Sequence, residues 1–359
     1  MNESSSKQCF EMEGLGEAEL YAIREIIVKV LLIVCPLSTA LQVYVLVNAF
    51  LKVRRRASDH CIHIFIFNIT VADLLLTGFA YPMEFLMDLL SLDFPYWINV
   101  GMHFFLWLGT AVSGLSLVLM NIDKLIFFKF PLNYAKRITR SRAEGLAVST
   151  WLASALFIYL GFVTRAFECR YNCQVLATPT GSRYGPLMYL GFTFWVSVFP
   201  ALSSFTVALY ILHIVRSHRK QMHEAEALLV GHGSSRRHRA ILSRMRTFYF
   251  IFISTIFTVC TLVPYRTLTI YRTLIQSNEE IRSCLAVLVS ILFYYLMDLN
   301  SILNPLLTVT VLPQYRLQRK NLDRIMTITH NGQRDVSHDS DEAADLAKRS
   351  CSSKNFKSV

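Results

Sequence analysis

Asp298-Leu299-Asn300-Ser301-Ile302-Leu303-Asn304-Pro305 interrupts a stretch otherwise composed of Leu, Val, Ile, Phe and Tyr. In lipid every backbone and side-chain polar group has to be satisfied inside the protein. A bilayer segment therefore keeps such a string only where it packs on other polar spans or lines a wet cavity. At about 20 apolar residues per crossing, the chain divides into spans at 26–51, 61–87, 99–122, 146–164, 187–215, 247–271 and 285–312. The fold expected is an all-α membrane protein, a seven-helix transmembrane bundle whose interior is marked by the polar string.

Composition supports this reading: 53% of residues are hydrophobic, 17% are charged, and the mean hydropathy is +0.39. Orientation follows from Lys and Arg, which accumulate in cytoplasmic loops. The loops at 52–60, 123–145 and 216–246 carry 18 of them, against 7 in the segments on the other side. The N-terminus is thereby placed outside and the C-terminus inside. The formal charge of +11 is accounted for by this topology and by contact with lipid head groups, which removes the case for nucleic acid.

Three regions result: an extracellular segment at 1–25, the membrane domain at 26–325, and a tail at 326–359. The first 25 residues are polar and acidic and lack the apolar core of a cleavable signal, so the first span serves as one. Asn2-Glu3-Ser4 is a glycosylation sequon on the outer side, whereas Asn68-Ile69-Thr70 lies within a span, out of reach of the sugar-transfer enzyme. The tail, rich in His, Asn, Asp, Ser and Lys, reads as disordered. Cys9, Cys169, Cys173 and Cys284 fall on the oxidising side and allow two disulfides whose pairing the spacing leaves open.

Several separate motifs now resemble those of the rhodopsin-like (class A) G protein-coupled receptors, over nearly all of residues 26–325. They are Asn68-Ile69-Thr70-Val71-Ala72-Asp73-Leu74 in the second span, Asp123-Lys124-Leu125 followed by Pro131-Leu132-Asn133-Tyr134 after the third, Trp151, Pro200, Pro264-Tyr265, and Asn300-Ser301 with Asn304-Pro305 in the seventh. Tyr315-Arg316 resembles the start of the family's membrane-surface helix, and residues 314–325 have the amphipathic pattern of a short C-terminal helix. The resemblance implies a receptor at the plasma membrane, not an enzyme, with an extracellular ligand outside and a heterotrimeric G protein and arrestin inside. No metal-ligand cluster, Gly-rich phosphate loop or nucleophile elbow offers catalysis.

Asp73, Ser113, Asn300, Ser301 and Asn304 bring oxygen-bearing side chains from three spans together. A lone carboxylate in a bilayer costs about 2.5–3.5 kcal/mol and demands a partner. The resemblance implies a sodium ion at these five residues; the alternative is a plain interhelical hydrogen-bond network. No other cofactor is implied. The departures are as informative. Lys124 stands in place of Arg, without its planar fork, and Arg244 in place of an acidic lock partner. Both bear on coupling at Asp123 and Lys124. Leu262 replaces Trp, Thr308 replaces Tyr, and Asn99 replaces the Cys that would tie the third span to the second outer loop. Cys169 and Cys173 then pair with each other, with Cys9 or Cys284, or stay free.

For ligand contact the outer half offers Glu84, His103, Tyr265, Arg266 and Asp298, intramembrane polar and ionisable groups being functional candidates by default. There is no Lys between Lys220 and Lys320 for a retinal Schiff base, and Leu106 occupies the place of an amine's counter-ion. Arg266 is suited to clamp a carboxylate with two charge-assisted hydrogen bonds, or else to pair with Asp298 and tie the sixth span to the seventh. A neuropeptide is the leading ligand, a small carboxylate-bearing molecule the second, and a seven-span transporter the reading from another class.

Overall fold

A computed structural model describes residues 17–54, 60–90, 92–130, 133–164, 168–170, 172–177, 185–228, 235–275, 284–312 and 314–315. The chain divides into two units, 1–312 and 313–359. Asn2, Cys9 and the tail lie outside the described residues, as does the amphipathic segment 314–325 beyond Tyr315.

Among the described residues, seven helical stretches are long and apolar enough to cross a membrane. They are built from α1 (Glu17–Arg54); α2 (His60–Leu75) with α3 (Tyr81–Leu90); α4 (Tyr96–Lys129); α6 (Arg140–Val163), preceded by the single turn α5 (Tyr134–Arg137); α7 (Gly185–Thr193) with α8 (Phe199–Leu228); α9 (Ser235–Ile275); and α10 (Cys284–Val311). Helices satisfy every backbone group within the segment, which is why lipid selects them. They overrun the apolar stretches: α1 begins at Glu17, nine residues ahead of the expected span, and α9 begins at Ser235.

Among the described residues, two spans contain a π-helical turn, Leu76–Ala80 between α2 and α3 and Phe194–Val198 between α7 and α8. Both turns precede a proline, Pro82 and Pro200. A proline ring in an α-helix clashes with the carbonyl four residues back, here that of Gly78 or Val196, and one extra residue in the turn relieves it.

The third span is the hub, packing on the second, fourth, fifth and sixth, while the first packs on the second and seventh. Where the third meets the second, Gly109 has no room for a side chain: a Cβ there would lie 2.7 Å from Leu76 Cγ and 3.1 Å from the Ala72 carbonyl. One buried amide holds three spans together. Asn68 Nδ2 donates to Ser116 Oγ (2.7 Å) and Thr150 Oγ1 (3.3 Å), and its Oδ1 accepts from Trp151 Nε1 (2.8 Å). The motif Asn and the fourth-span Trp are thus one contact.

Between the fourth and fifth spans lies a feature the helical expectation did not include, an antiparallel hairpin of β1 (Glu168–Arg170) and β2 (Val175–Ala177), with Cys169 opposite Leu176.

Asn68→Leu deletes three interhelical hydrogen bonds, each worth about 0.6 kcal/mol on average inside membranes, so a loss of about 2 kcal/mol follows. Thermal unfolding in detergent is expected to give a lower Tm, with a smaller fall for Trp151→Phe; unchanged melting of Asn68→Leu would contradict the hub.

Candidate functional site

The outer ends of the spans enclose a cavity of about 850 Å³. Glu84, His103, Tyr265 and Arg266, four of the ligand-contact candidates, line it. Asp298 is not among its lining residues: it is wholly buried, and neither carboxylate oxygen has a hydrogen-bond partner among the described residues. The lining also includes residues that the sequence reading passed over: Arg24, Asp88, Asp93, Trp107, Gln174, Tyr294 and Tyr295.

Arg266 is 5% exposed. Its guanidinium carbon lies 4.6 Å from the Trp107 ring centre and 5.5 Å from that of Tyr265. These π faces offset part of the cost of burying the cation, yet Nε has no hydrogen-bond partner and no ion pair joins Arg266 to Asp298 among the described residues. Opposite, Arg24 pairs with Asp88, which also accepts from Tyr295 OH (3.2 Å). Glu84 Oε1 accepts from Tyr294 OH, while Oε2 is buried without a hydrogen-bond partner among the described residues. Glu84 and Asp88 sit one helical turn apart and so share a face, a spacing from which Asp88 was findable.

The outer loop is seated by hydrogen bonds to the third span. A disulfide joins Cys169 to Cys173, one of the pairings the sequence left open. Asn172 and Cys173 adopt left-handed backbone, φ 56° and 61°, a region Asn tolerates better than most residues. Asn99, buried where the family has Cys, donates to the carbonyls of Asn172 (2.9 Å) and Phe94 (3.2 Å). His103 Nε2 donates to Cys173 O (3.1 Å) and Gln174 O (3.3 Å), and so lines the cavity while holding the loop. The side chain of Cys284 is outside the described residues.

Deeper, Asp73, Ser113, Asn300, Ser301 and Asn304 all line a second cavity of about 50 Å³, room for a few water-sized particles. Asn304 Nδ2 donates to Asp73 Oδ2 (2.7 Å), Asn300 Oδ1 accepts from Thr258 Oγ1 (3.1 Å), and Asp73 Oδ1 is buried without a hydrogen-bond partner among the described residues. One orphaned carboxylate oxygen among neutral oxygens is a donor set that fits a small hard monovalent cation. Gln42 closes this region from the first span: its Nε2 donates to Ser301 O (3.1 Å), and Oε1 accepts from Thr77 Oγ1 (2.7 Å). Ser38, one turn earlier, donates to Ile302 O (2.7 Å). The Ser38/Gln42 spacing within the mostly apolar stretch 30–47 of that helix was the available signal.

At the inner end, Asp123 Oδ1 accepts from Tyr134 OH (2.8 Å) and Oδ2 lies 3.0 Å from Lys124 Nζ. Lys124 is buried and its Nζ lies 5.8 Å from the Phe127 ring centre. Asn121 Nδ2 donates to Thr255 Oγ1 (3.1 Å), a neutral tie between the third and sixth spans one turn above. The Arg244 side chain is outside the described residues.

A polar cage at mid-membrane, an outer cavity and a carboxylate-cation pair at the inner end of the third span now stand in one seven-helix bundle. Residues 44–307 match the family described as 7 transmembrane receptor (rhodopsin family). The chain belongs to that family. It is a multi-pass membrane receptor and not an enzyme. It is similar to "G-protein coupled receptor aex-2" of Caenorhabditis elegans, 26% identical over 255 residues, 71% of each chain. It is also similar to "Neuropeptide receptor 22" of the same organism, 33% identical over 34% of this chain and 29% of that one. The mouse "Alpha-1A adrenergic receptor" is 29% identical over 35% of this chain and 29% of its own.

Peptide mapping of this receptor without reductant is expected to recover Cys169 and Cys173 linked to each other. Linkage of either to Cys9 or Cys284 would contradict the hairpin as described. Asn99→Ala, which removes two hydrogen bonds of about 0.5–1.5 kcal/mol each, is expected to make the loop more sensitive to limited proteolysis.

Proposed function

We propose that this receptor sits in the plasma membrane with its N-terminus outside, binds an extracellular neuropeptide in the outer cavity, and passes the signal to a heterotrimeric G protein, with arrestin as a further inner partner. The observation that carries the ligand reading is Arg266, a buried cation without an ion-pair partner among the described residues, on the wall of a cavity of about 850 Å³. That volume is toward the upper end of ordinary ligand pockets, about 300–1,000 Å³, which suits several peptide residues. The guanidinium suits a C-terminal or side-chain carboxylate. The name of one relative, "Neuropeptide receptor 22", points the same way. The apolar Leu106 on the cavity wall speaks against an amine of the adrenergic kind. A small carboxylate-bearing molecule is the second reading, favoured by the same arginine. Membership of a receptor family sets the transporter aside.

The inner cage is proposed to hold a sodium ion at Asp73, Ser113, Asn300, Ser301 and Asn304. The ion would neutralise Asp73 in the bundle. The residues themselves tie the second span to the seventh through Asn304 and the seventh to the sixth through Asn300 and Thr258, so rearranging them is coupled to movement of the sixth span.

Cells expressing the receptor are treated with tissue extract, intact or protease-digested, and G protein dissociation is recorded. Activity lost on digestion is the expected result; activity that survives digestion but fails in Arg266→Ala would establish the small acid instead. For the cage, replacing choline with sodium is expected to raise the Tm of the purified receptor, and Asp73→Asn is expected to abolish that difference. A sodium effect retained in Asp73→Asn would rule the site out.

A further inference from the structure

Resting on the reading of the outer cavity as the ligand site, we propose that its ligand is dipolar: an anionic group on Arg266, a cationic group on Glu84, and an aromatic or apolar link between them along Tyr265 and Tyr294. The four side chains form a row on one wall. The Arg266 guanidinium lies over the Tyr265 ring (5.5 Å), Tyr265 meets Tyr294 edge to face (5.2 Å between centres), and Tyr294 OH donates to Glu84. All four line the same cavity.

Each end of the row has capacity left over. Arg266 Nε and Glu84 Oε2 are buried without hydrogen-bond partners among the described residues. Of the other acids on the cavity wall, Asp88 is committed to Arg24 and Tyr295, and Asp93 to Gln174 (2.6 Å), while the unpartnered Asp298 lies off that wall. Buried charged groups with unused hydrogen-bonding capacity are costly, and contact between Arg266 and Glu84 would relieve both. No ion pair joins them among the described residues, and the two tyrosine rings stand between. A ligand bearing both charges compensates both groups at once, while a singly charged one leaves the other buried and unpaired. The separation by two rings matches the terminal carboxylate and basic side chain of a peptide end better than the adjacent charges of a free amino acid.

The test uses purified full-length receptor in lipid nanodiscs, with affinities read from thermal-shift titrations of three probes: N-acetyl-Arg-Phe as the free acid, its C-terminal amide, and N-acetyl-Gln-Phe as the free acid. The first is expected to bind about tenfold or more tighter than either of the others, the worth of one charge-assisted contact. Arg266→Ala is expected to equalise acid and amide, and Arg266→Lys, which keeps the charge, to retain part of the preference. Glu84→Gln is expected to equalise the Arg and Gln probes. Equal binding of acid and amide by the unaltered receptor, an Arg preference that persists in Glu84→Gln, or no shift with any probe would overturn the proposal. A charge-dependent shift in a protein that never dissociates G protein would overturn the signalling reading and leave the dipolar site standing. Extract-driven dissociation with charge-independent probe binding would do the reverse.

Discussion

Lipid offers no hydrogen bonds, and that single constraint organises the interior of this receptor. Some polar side chains turn back to their own helix, as Thr70 and Thr110 do, and those matched by a neighbouring helix become the joints of the bundle. Asn68 joins three spans, Gln42 joins the first to the second and seventh, and Asn304 meets Asp73 across the second and seventh. Apolar packing fills the space between these joints but does little to choose among rotations of a helix that is greasy all round, because lipid is as apolar as the helix face it would replace. The few polar contacts carry that information.

The outer half obeys the same constraint with a different result. There the protein leaves groups uncompensated: Arg266, Glu84 and the wholly buried Asp298 keep atoms without partners among the described residues. Their desolvation is tolerated beside a cavity that a ligand is proposed to fill. Around it the outer loop is held to the third span by neutral contacts. Asn99 takes over the anchoring of the outer loop from the covalent link usual in the family, and a local disulfide keeps the hairpin compact.

Much of this was legible in the sequence because membrane physics is coarse. Seven apolar stretches, a cationic bias on one side and a polar string ending in Asn304-Pro305 suffice for the bundle and its cage. The facing of individual residues was not legible where helices lack a polar stripe. Asp298 follows the same helical face logic as the cavity residues, yet lies off the cavity wall, and Arg24, at the end of a polar segment, belongs to a helix that runs beyond the bilayer. The hairpin between the fourth and fifth spans escaped because three-residue strands carry too little alternation to register. The setting of Arg266 escaped for another reason: charge pairing depends on separations that no one-dimensional pattern encodes, and here the guanidinium lies over two aromatic rings with no ion pair to Asp298 among the described residues.

The π turn at Leu76–Ala80 makes the aim of the acidic face a matter of counting. Each residue advances a regular helix by about 100°, so a one-residue surplus below Pro82 sets the azimuth of everything above it, Glu84 and Asp88 included. The lower half of the span, with Asn68 and Asp73, keeps its own phase. A single helix thereby serves two differently oriented tasks, one facing the mid-membrane cage and one facing the outer cavity. Its two halves are free to diverge in sequence as long as the residue count between them is kept.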